Sequence, residues 1–398
     1  MTDRGRRKTM PAFLSACAIV MALAAAGCSE EPTELNALTA SLPHGDVVVR
    51  DTVITATGSS TYRQFEVMDG AINLLGKTGN YTALTAMNFY PSLFPARDTA
   101  LIHSARLKLR CITWHGDSTG TFAFSVHRIL KVWSQTTLIW DSAQTGFYES
   151  ASQGSSLTGA GPDTQVVTVS LDTAFVREWF MTPTSTDTRY GFVLVPDPSC
   201  TIVRGFTAFD SDSTHLQPQL EIIAGSPTGP SRDTATYYQG IDTFVGNIDN
   251  LTTDPQLLYL HAGVGYRASM QFDVSFIPRG AVVNSAELLL QRDPVTSRVS
   301  KFTADTAIVA QTIYTSAQPP VLDIVTQDGR RKAGTAFTFS TDVRRSVQLW
   351  VHGPNYGLAL RPSLEFEFVA PDLLTFYNER ASDPLRRPML KIIYSTPL

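Results

Sequence analysis

The feature that most constrains this chain is an alternating strand pattern that occurs twice. From Met270 to Leu290, apolar side chains alternate with polar ones, as in strands with one face in a core. The segment Ile277-Pro278-Arg279-Gly280 interrupts the alternation with turn residues. The same order of features occurs earlier, in Met87-Asn88-Phe89-Tyr90, Phe94-Pro95 and the run from Ser104 to Leu109. The chain therefore reads as a duplicated β architecture.

A short helix is predicted late in each copy. Asp172-Thr173 precedes apolar residues whose spacing ends at Trp179, and Thr341-Asp342 precedes a similar series that ends at Trp350. Apolar spacings of three and four place side chains on one face of a helix, and an acidic or hydroxyl residue before them caps its first N–H groups.

The boundary between the copies is expected at a run of Gly, Pro and Ser. We predict a first repeat at 46–225, a linker at 226–233 and a second repeat at 234–398, with each repeat folding on its own. Many short strands with one short helix favour an all-β fold. The prediction is two tandem jelly-roll-like β-sandwich domains.

Residues 1–28 have the features of an export signal. A basic start precedes an uncharged run, Ala12 to Gly27, that is shorter than the roughly 20 residues of a spanning helix. The segment Leu23-Ala24-Ala25-Ala26-Gly27-Cys28 resembles the lipobox of bacterial lipoproteins, which implies a lipid on Cys28. A standard cleaved signal is the alternative, because Ala25 stands where Leu is commoner. Residues 29–45 are polar and are predicted to be a flexible tether.

Export bears on the location of the chain and on its cysteines. Ser29, by resemblance to enterobacterial lipoproteins, implies passage to the outer membrane of the cell envelope. Cys111 and Cys200 remain after processing, and an oxidising compartment permits a disulfide between them. Two unpaired thiols are the alternative. The second repeat has no cysteine at either place, so the fold does not depend on a bridge.

The repeats resemble a known family. The pattern M-x-F-D-x-S-x-I-P-x-G-A-x-V-x-S-A-x-L-x-L, which begins at Met270, is similar to that of the DNRLRE-domain family. Trp133 followed by Thr136-Thr137-Leu138-Ile139-Trp140 resembles the family's W…TW element, which the second repeat lacks. Asn88-Phe89-Tyr90 departs from the usual F-D. The resemblance implies β-sandwich modules of secreted and surface proteins, related to carbohydrate-binding modules.

The sequence contains no motif of known chemistry. The net charge of −4, with neither half strongly basic, argues against nucleic-acid binding. The histidines are scattered without an HExxH pattern, and no G-x-S-x-G is present. Asp210-Ser211-Asp212-Ser213 lacks the full set of oxygen ligands for calcium, so no cofactor is expected and a structural calcium is not indicated.

Two segments are candidates for ligand contact. Trp114 follows a predicted strand, where an indole can stack on a sugar ring; partial burial at a sandwich end is the alternative. Arg330-Arg331-Lys332, predicted in a turn after Gly329, and Arg386-Arg387 offer paired donors to a carboxylated polysaccharide. A basic loop that only hydrates the surface is the commoner case. Four tryptophans are expected to lie in cores: Trp133, Trp140, Trp179 and Trp350.

Three functions follow from this pattern. The first is a non-catalytic, membrane-anchored envelope lipoprotein that binds polysaccharide through its tandem modules. The second is a structural or adhesive surface protein that contacts other proteins through an apolar patch. The third is a polysaccharide hydrolase or lyase, which needs opposed carboxylates in a pocket. The sequence favours the first.

Overall fold

The computed structural model describes most of the chain from residue 47 onward. The described residues are 47–64, 70–89, 101–144, 146–158, 165–181, 190–210, 216–226, 230, 232–238, 240–251, 253–299, 307–317, 320–363 and 371–397. The predicted signal at 1–28, the lipidation of Cys28 and the tether at 29–45 lie outside them, as does most of the Asp210–Ser213 loop. Within these ranges, no helix has the length and apolar character needed to cross a membrane.

The described chain is almost entirely β-structure. It forms two curled antiparallel sheets of eleven strands each and two α-helices, which confirms the prediction of two tandem β-sandwich domains with one short helix each. Residues 50–394 group as one compact unit, and residues 47–49 and 395–397 group separately from it.

The elements divide evenly between two parts of the chain, which we call the first half (47–226) and the second half (232–397). The first half contains β1 (Val47–Thr55), β2 (Gly58–Arg63), β3 (Ile72–Thr78), β4 (Tyr81–Phe89), β5 (Leu101–Gly116), β6 (Phe122–Ile129), β7 (Tyr148–Thr158), β8 (Val166–Leu171), α1 (Thr173–Met181), β9 (Phe192–Pro196), β10 (Ile202–Thr207) and β11 (Gln219–Gly225). The second half contains β12 (Arg232–Tyr237), β13 (Gly240–Ile248), β14 (Leu257–His261), β15 (Tyr266–Gln271), β16 (Val282–Gln291), β17 (Ala307–Thr312), β18 (Gln327–Arg331), β19 (Thr338–Asp342), α2 (Arg344–His352), β20 (Leu358–Pro362), β21 (Leu373–Tyr377) and β22 (Met389–Pro397).

The halves exchange their first two strands. β1 and β2 join the sheet of the second half, where β1 lies beside β22 and β2 pairs with β15. β12 and β13 join the sheet of the first half, where β12 pairs with β11 and β13 pairs with β4. Each sandwich thus contains strands from both sides of the predicted 226–233 linker. Strand pairing therefore crosses the boundary predicted from composition in both directions.

Each sandwich has its own apolar core. The core of the first includes Leu107, Leu109 and Trp179, and that of the second includes Leu288, Leu290 and Trp350. These side chains come from the alternating runs and helix faces that the sequence predicts. The predicted burial of Trp179 and Trp350 is confirmed, since both are about 5% exposed or less.

The helices begin where the sequence predicts. The Asp172 carboxylate accepts a hydrogen bond from the Phe175 N–H at 2.8 Å, and the Asp342 carboxylate accepts one from the Arg344 N–H at 2.9 Å. These bonds satisfy N–H groups that have no partner within the helix.

The W…TW segment covers the outer face of the first sandwich. Trp133 and Trp140 are half-buried there and pack against an apolar cluster that includes Leu84, Val193 and Val245. The Trp133 indole N–H donates to the Tyr190 carbonyl at 2.7 Å. These two tryptophans therefore hold a surface segment in place and do not lie in the main core.

Candidate functional site

A cavity of about 570 Å³ lies where the two halves meet. The first half contributes Tyr81 and Trp114 to its wall, and the second half contributes Tyr259, His261 and Arg298. Its volume falls within the range of about 300–1,000 Å³ that is typical of small-molecule sites. The aromatic and polar lining makes it the best candidate for a binding site among the described residues.

Ends of strands and tight turns form the cavity wall. Trp114 lies two residues before the end of β5, and Tyr81 opens β4 directly after the tight turn at Gly79 and Asn80. Arg298 follows β16 and is held by two backbone bonds with Leu373: its N–H donates to the Leu373 carbonyl at 2.8 Å and its carbonyl accepts at 2.9 Å. Backbone pairing thus fixes the position of the arginine.

A stacked aromatic pair forms one wall. The rings of Tyr81 and His261 lie 5.5 Å apart with an interplanar angle of 20°, and each ring comes from a different half. Nδ1 of His261 lies 2.5 Å from the Ala262 carbonyl, which can only accept, so Nδ1 carries a proton. Burial lowers the pKa of His261 to about 4, and the cations Arg63 and Arg298 act in the same direction. Burial also raises the pKa of the Tyr81 hydroxyl well above its ordinary value. Both rings are therefore neutral at physiological pH.

Tyr259 is fixed from two directions. Its backbone N–H donates to Oγ1 of Thr61 at 3.0 Å, and its hydroxyl accepts from the Asp254 N–H at 2.6 Å. Thr61 belongs to the exchanged strand β2, so the first half positions a cavity residue of the second half. The ring is held rigidly before any ligand arrives, which reduces the entropic cost of binding.

Arg298 is the cation of the cavity wall. Its side chain is exposed, and among the described residues it forms no ion pair. Its Nη1 lies 3.6 Å from where a Cβ on Gly79 would stand, so the guanidinium reaches across to the first half. A guanidinium offers paired donors to a carboxylate or to vicinal hydroxyls.

Trp114 lies within strand β5, and not after a strand as the sequence analysis predicted. The indole is half-buried: it packs against the core of the first sandwich and also lines the cavity. The partial burial agrees with the second alternative, and a ligand contact stays a prediction, since a partly buried indole still presents surface to a cavity.

The basic segment 330–332 differs from the prediction. Arg330 and Arg331 lie in strand β18 and not in a turn, so alternation sends their side chains to opposite faces of the sheet. Lys332 Nζ pairs with Glu287 Oε1 at 2.8 Å. Gly329 suggested a turn, but a Cβ there would lie 2.0 Å from Thr341 Oγ1, so close strand contact requires this glycine. The three cations do not form one patch.

The other sequence candidates lie away from the cavity. The Arg386 guanidinium lies 4.9 Å from the centre of the Tyr377 ring and donates to its hydroxyl at 2.6 Å, while Arg387 Nε donates to the Ala381 carbonyl. Cys111 and Cys200 are buried and form no disulfide. Their thiols lie 3.3 Å and 3.2 Å from the carbonyls of Thr113 and Ile202.

Nothing in the described residues points to catalysis. They contain no group of three or more His, Cys, Asp or Glu side chains arranged to hold a metal ion. Asp372 is the one carboxylate among the described residues that line the cavity, and it is buried. A glycosidase mechanism requires two opposed carboxyl groups.

Comparisons with known proteins add little to this geometry. No protein-family model matches the chain, and no curated protein matches it either. Among solved structures, the chain aligns weakly with two titled "Structure of infectious bursal disease virus Gx strain" and "Structure of infectious bursal disease virus Gt strain". Identity is 12% and 13%, TM-scores are 0.12 and 0.11, and each alignment covers 90% of this chain and 80% of the other.

Proposed function

We propose that this chain is a non-catalytic lipoprotein of the bacterial cell envelope, anchored through Cys28, whose paired β-sandwiches bind polysaccharide. One observation carries the binding proposal: Trp114 and Arg298 line the same cavity. A half-buried indole offers a face on which a sugar ring stacks, and a guanidinium without an ion pair among the described residues recognises an acidic group. An acidic polysaccharide is therefore the ligand class that best fits.

The cavity suits recognition more than reaction. The stacked Tyr81 and His261 rings are neutral, and one buried carboxylate among the described residues of the cavity does not provide the paired acid and base of a glycosidase. Binding without turnover is what such a wall supports. Because exposed charge contacts contribute only about 0.2–1 kcal/mol each, affinity for one site is modest and rises when several anchored copies hold one polymer.

The binding proposal is tested with matched variants. A glycan array and titration with acidic oligosaccharides should show binding by the wild type that weakens with added salt. Trp114→Ala should weaken binding about tenfold or more, and Arg298→Gln should remove most of the salt dependence. Arg279→Gln, a change to another exposed arginine, is the control and should leave binding unchanged. Unaltered binding by both cavity variants would refute the site.

The basic segment provides the competing location. Replacing Arg330, Arg331 and Lys332 with Ser removes the cations that the sequence analysis favoured. If this triple variant loses salt-sensitive binding while the Trp114 variant keeps it, the ligand contacts the sheet surface and not the cavity. Thermal unfolding of the arginine variants and of the triple variant should stay near that of the wild type, since these side chains are exposed or half-buried. Trp114→Ala should lower the unfolding temperature, because its indole packs against the first core, so its binding is measured well below that temperature.

An adhesive or structural role is the second candidate. Four apolar side chains after β17 face solvent: Tyr314, Val321, Ile324 and Val325, with Ile324 94% exposed. Exposed apolar surface of this kind favours contact with another protein. If the glycan screen finds no ligand, Ile324→Asp is the variant to compare with the wild type in cell-surface adhesion.

A further inference from the structure

We propose that the two halves of the chain are binding partners of each other, held by their exchanged strands so firmly that the covalent connection between β11 and β12 is not needed. Each half donates its first two strands to the other half and accepts two in return. The proposal concerns assembly and holds whether or not the cavity binds a saccharide.

The exchanged strand β2 pairs with the second half along its whole length. Six residues of β2, Gly58 to Arg63, pair with β15 from Gln271 to Tyr266. Side chains reinforce this backbone pairing, since the hydroxyls of Ser60 and Ser269 lie 2.8 Å apart and Ser59 donates to the Glu379 carboxylate. Directly after β2, the Gln64 N–H donates to the Gly265 carbonyl at 2.8 Å.

The exchanged strand β13 pairs with the first half even more extensively. Nine residues of β13, Gly240 to Ile248, pair with β4 from Phe89 to Tyr81. Asp242 is buried and its carboxylate accepts from the Phe209 N–H at 3.1 Å. Two reciprocal bonds close the far end of β13, because the Asp249 N–H donates to the Asn80 carbonyl at 2.8 Å and Asn80 Nδ2 donates to the Asp249 carbonyl at 2.9 Å.

An apolar cluster fills the space between the halves. Tyr81, Ala83 and Val203 of the first half pack with Phe244, Ile248 and Val264 of the second, and all are buried. Separating the halves exposes these side chains to water and also removes the strand partners from the edges of β4 and β15 that face β13 and β2. Both losses are large for a buried interface, because apolar burial drives association and unpaired strand edges are costly.

The connection between the two halves is short, and the strands on either side of it pair with each other. Residues 226–231 connect β11 to β12, and these two strands also pair directly through six residue pairs. A protease that cuts this connection therefore does not release the second half. The second half stays with the first, which carries the predicted anchor.

A cleavable full-length chain tests the proposal. A protease recognition sequence placed between Ser226 and Arg232 allows the folded protein to be cut once. The expected result is that both fragments elute together from a sizing column at the volume of the uncut protein and unfold in one transition. Elution of two separate fragments under native conditions overturns the proposal.

A second variant shows whether the exchanged strand β13 holds the two halves together. Thr243→Pro removes an N–H within β13, so it weakens pairing with β4. Uncut Thr243→Pro protein should remain a single species because the halves stay covalently joined, whereas the cut variant should dissociate at concentrations at which the cut wild type does not. Equal retention of fragments by cut wild type and cut variant would show that β13 does not hold the halves together.

Discussion

Gly246 of β13 lies directly against Gly263, such that a Cβ on Gly246 would stand 2.2 Å from the Gly263 carbonyl oxygen and 2.7 Å from the Tyr81 hydroxyl. No side chain fits there without moving the backbone. We expect Gly246→Ala to lower the free energy of unfolding by about 1–3 kcal/mol, because overpacking a close contact forces backbone shifts. Urea unfolding followed by circular dichroism measures the change.

Gly280→Ala is the matched control for this prediction. No atom lies within 4 Å of the position its Cβ would take, so the unfolding midpoint should stay unchanged or rise slightly. Equal midpoints for the Gly246 and Gly280 variants would show that the contact at Gly246 yields without cost.

Local features of the sequence were sufficient to predict the elements. Alternation around Met270 and Leu288 identifies strands, and Asp172 identifies a helix start, because these signals depend on neighbours in the chain. Pairing across the linker is not a local property: a strand pattern states which face is apolar but not which strand lies beside it. The interval from Asp51-Thr52 to Gly58 equals the interval from Asp233-Thr234 to Gly240. This spacing marks the two exchanged segments as equivalent in sequence, but it does not show that they are exchanged.

The cavity was only partly predictable for the same reason. Trp114 could be predicted as a ligand contact because an indole near the end of a strand can stack on a sugar ring. Tyr81, His261 and Arg298 carry no local signal, since they meet only after two distant halves pair. The prediction of a turn at Arg330-Arg331-Lys332 was wrong because glycine is common in turns. Gly329 is instead required by the close approach of Thr341, which leaves no room for a side chain.

The cap of helix α1 should contribute measurably to stability. Asp172→Ala removes the carboxylate that accepts from the Phe175 N–H, and we expect a loss of about 1 kcal/mol in the free energy of unfolding. Asp172→Asn is the control, because an amide oxygen caps nearly as well. A variant pair with equal urea midpoints would show that water replaces the cap without cost.

Both cysteines should react as thiols only when the chain is unfolded. We expect the chain from residue 46 onward to show no reaction with a thiol reagent when folded and reaction at both Cys111 and Cys200 in denaturant without reductant. Its unfolding temperature should not change with reductant. Absence of reactive thiol in the denatured, unreduced protein would show that a disulfide forms after export, and Cys200→Ala provides the single-thiol reference.

His261 should make folding stability depend on pH. Its pKa is lowered from 6.5 to about 4 in the folded protein, so between these values the unfolded chain binds a proton that the folded chain does not. The contribution of neutral His261 to the free energy of unfolding is therefore fully present above about pH 6.5. It decreases by up to about 3 kcal/mol as the pH falls toward 4. His261→Phe keeps a ring beside Tyr81 but cannot titrate, so subtracting its unfolding free energies from those of the wild type isolates the histidine. The difference should fall with decreasing pH across this window; a difference that is constant from pH 7 to 4 would mean that water reaches the His261 ring.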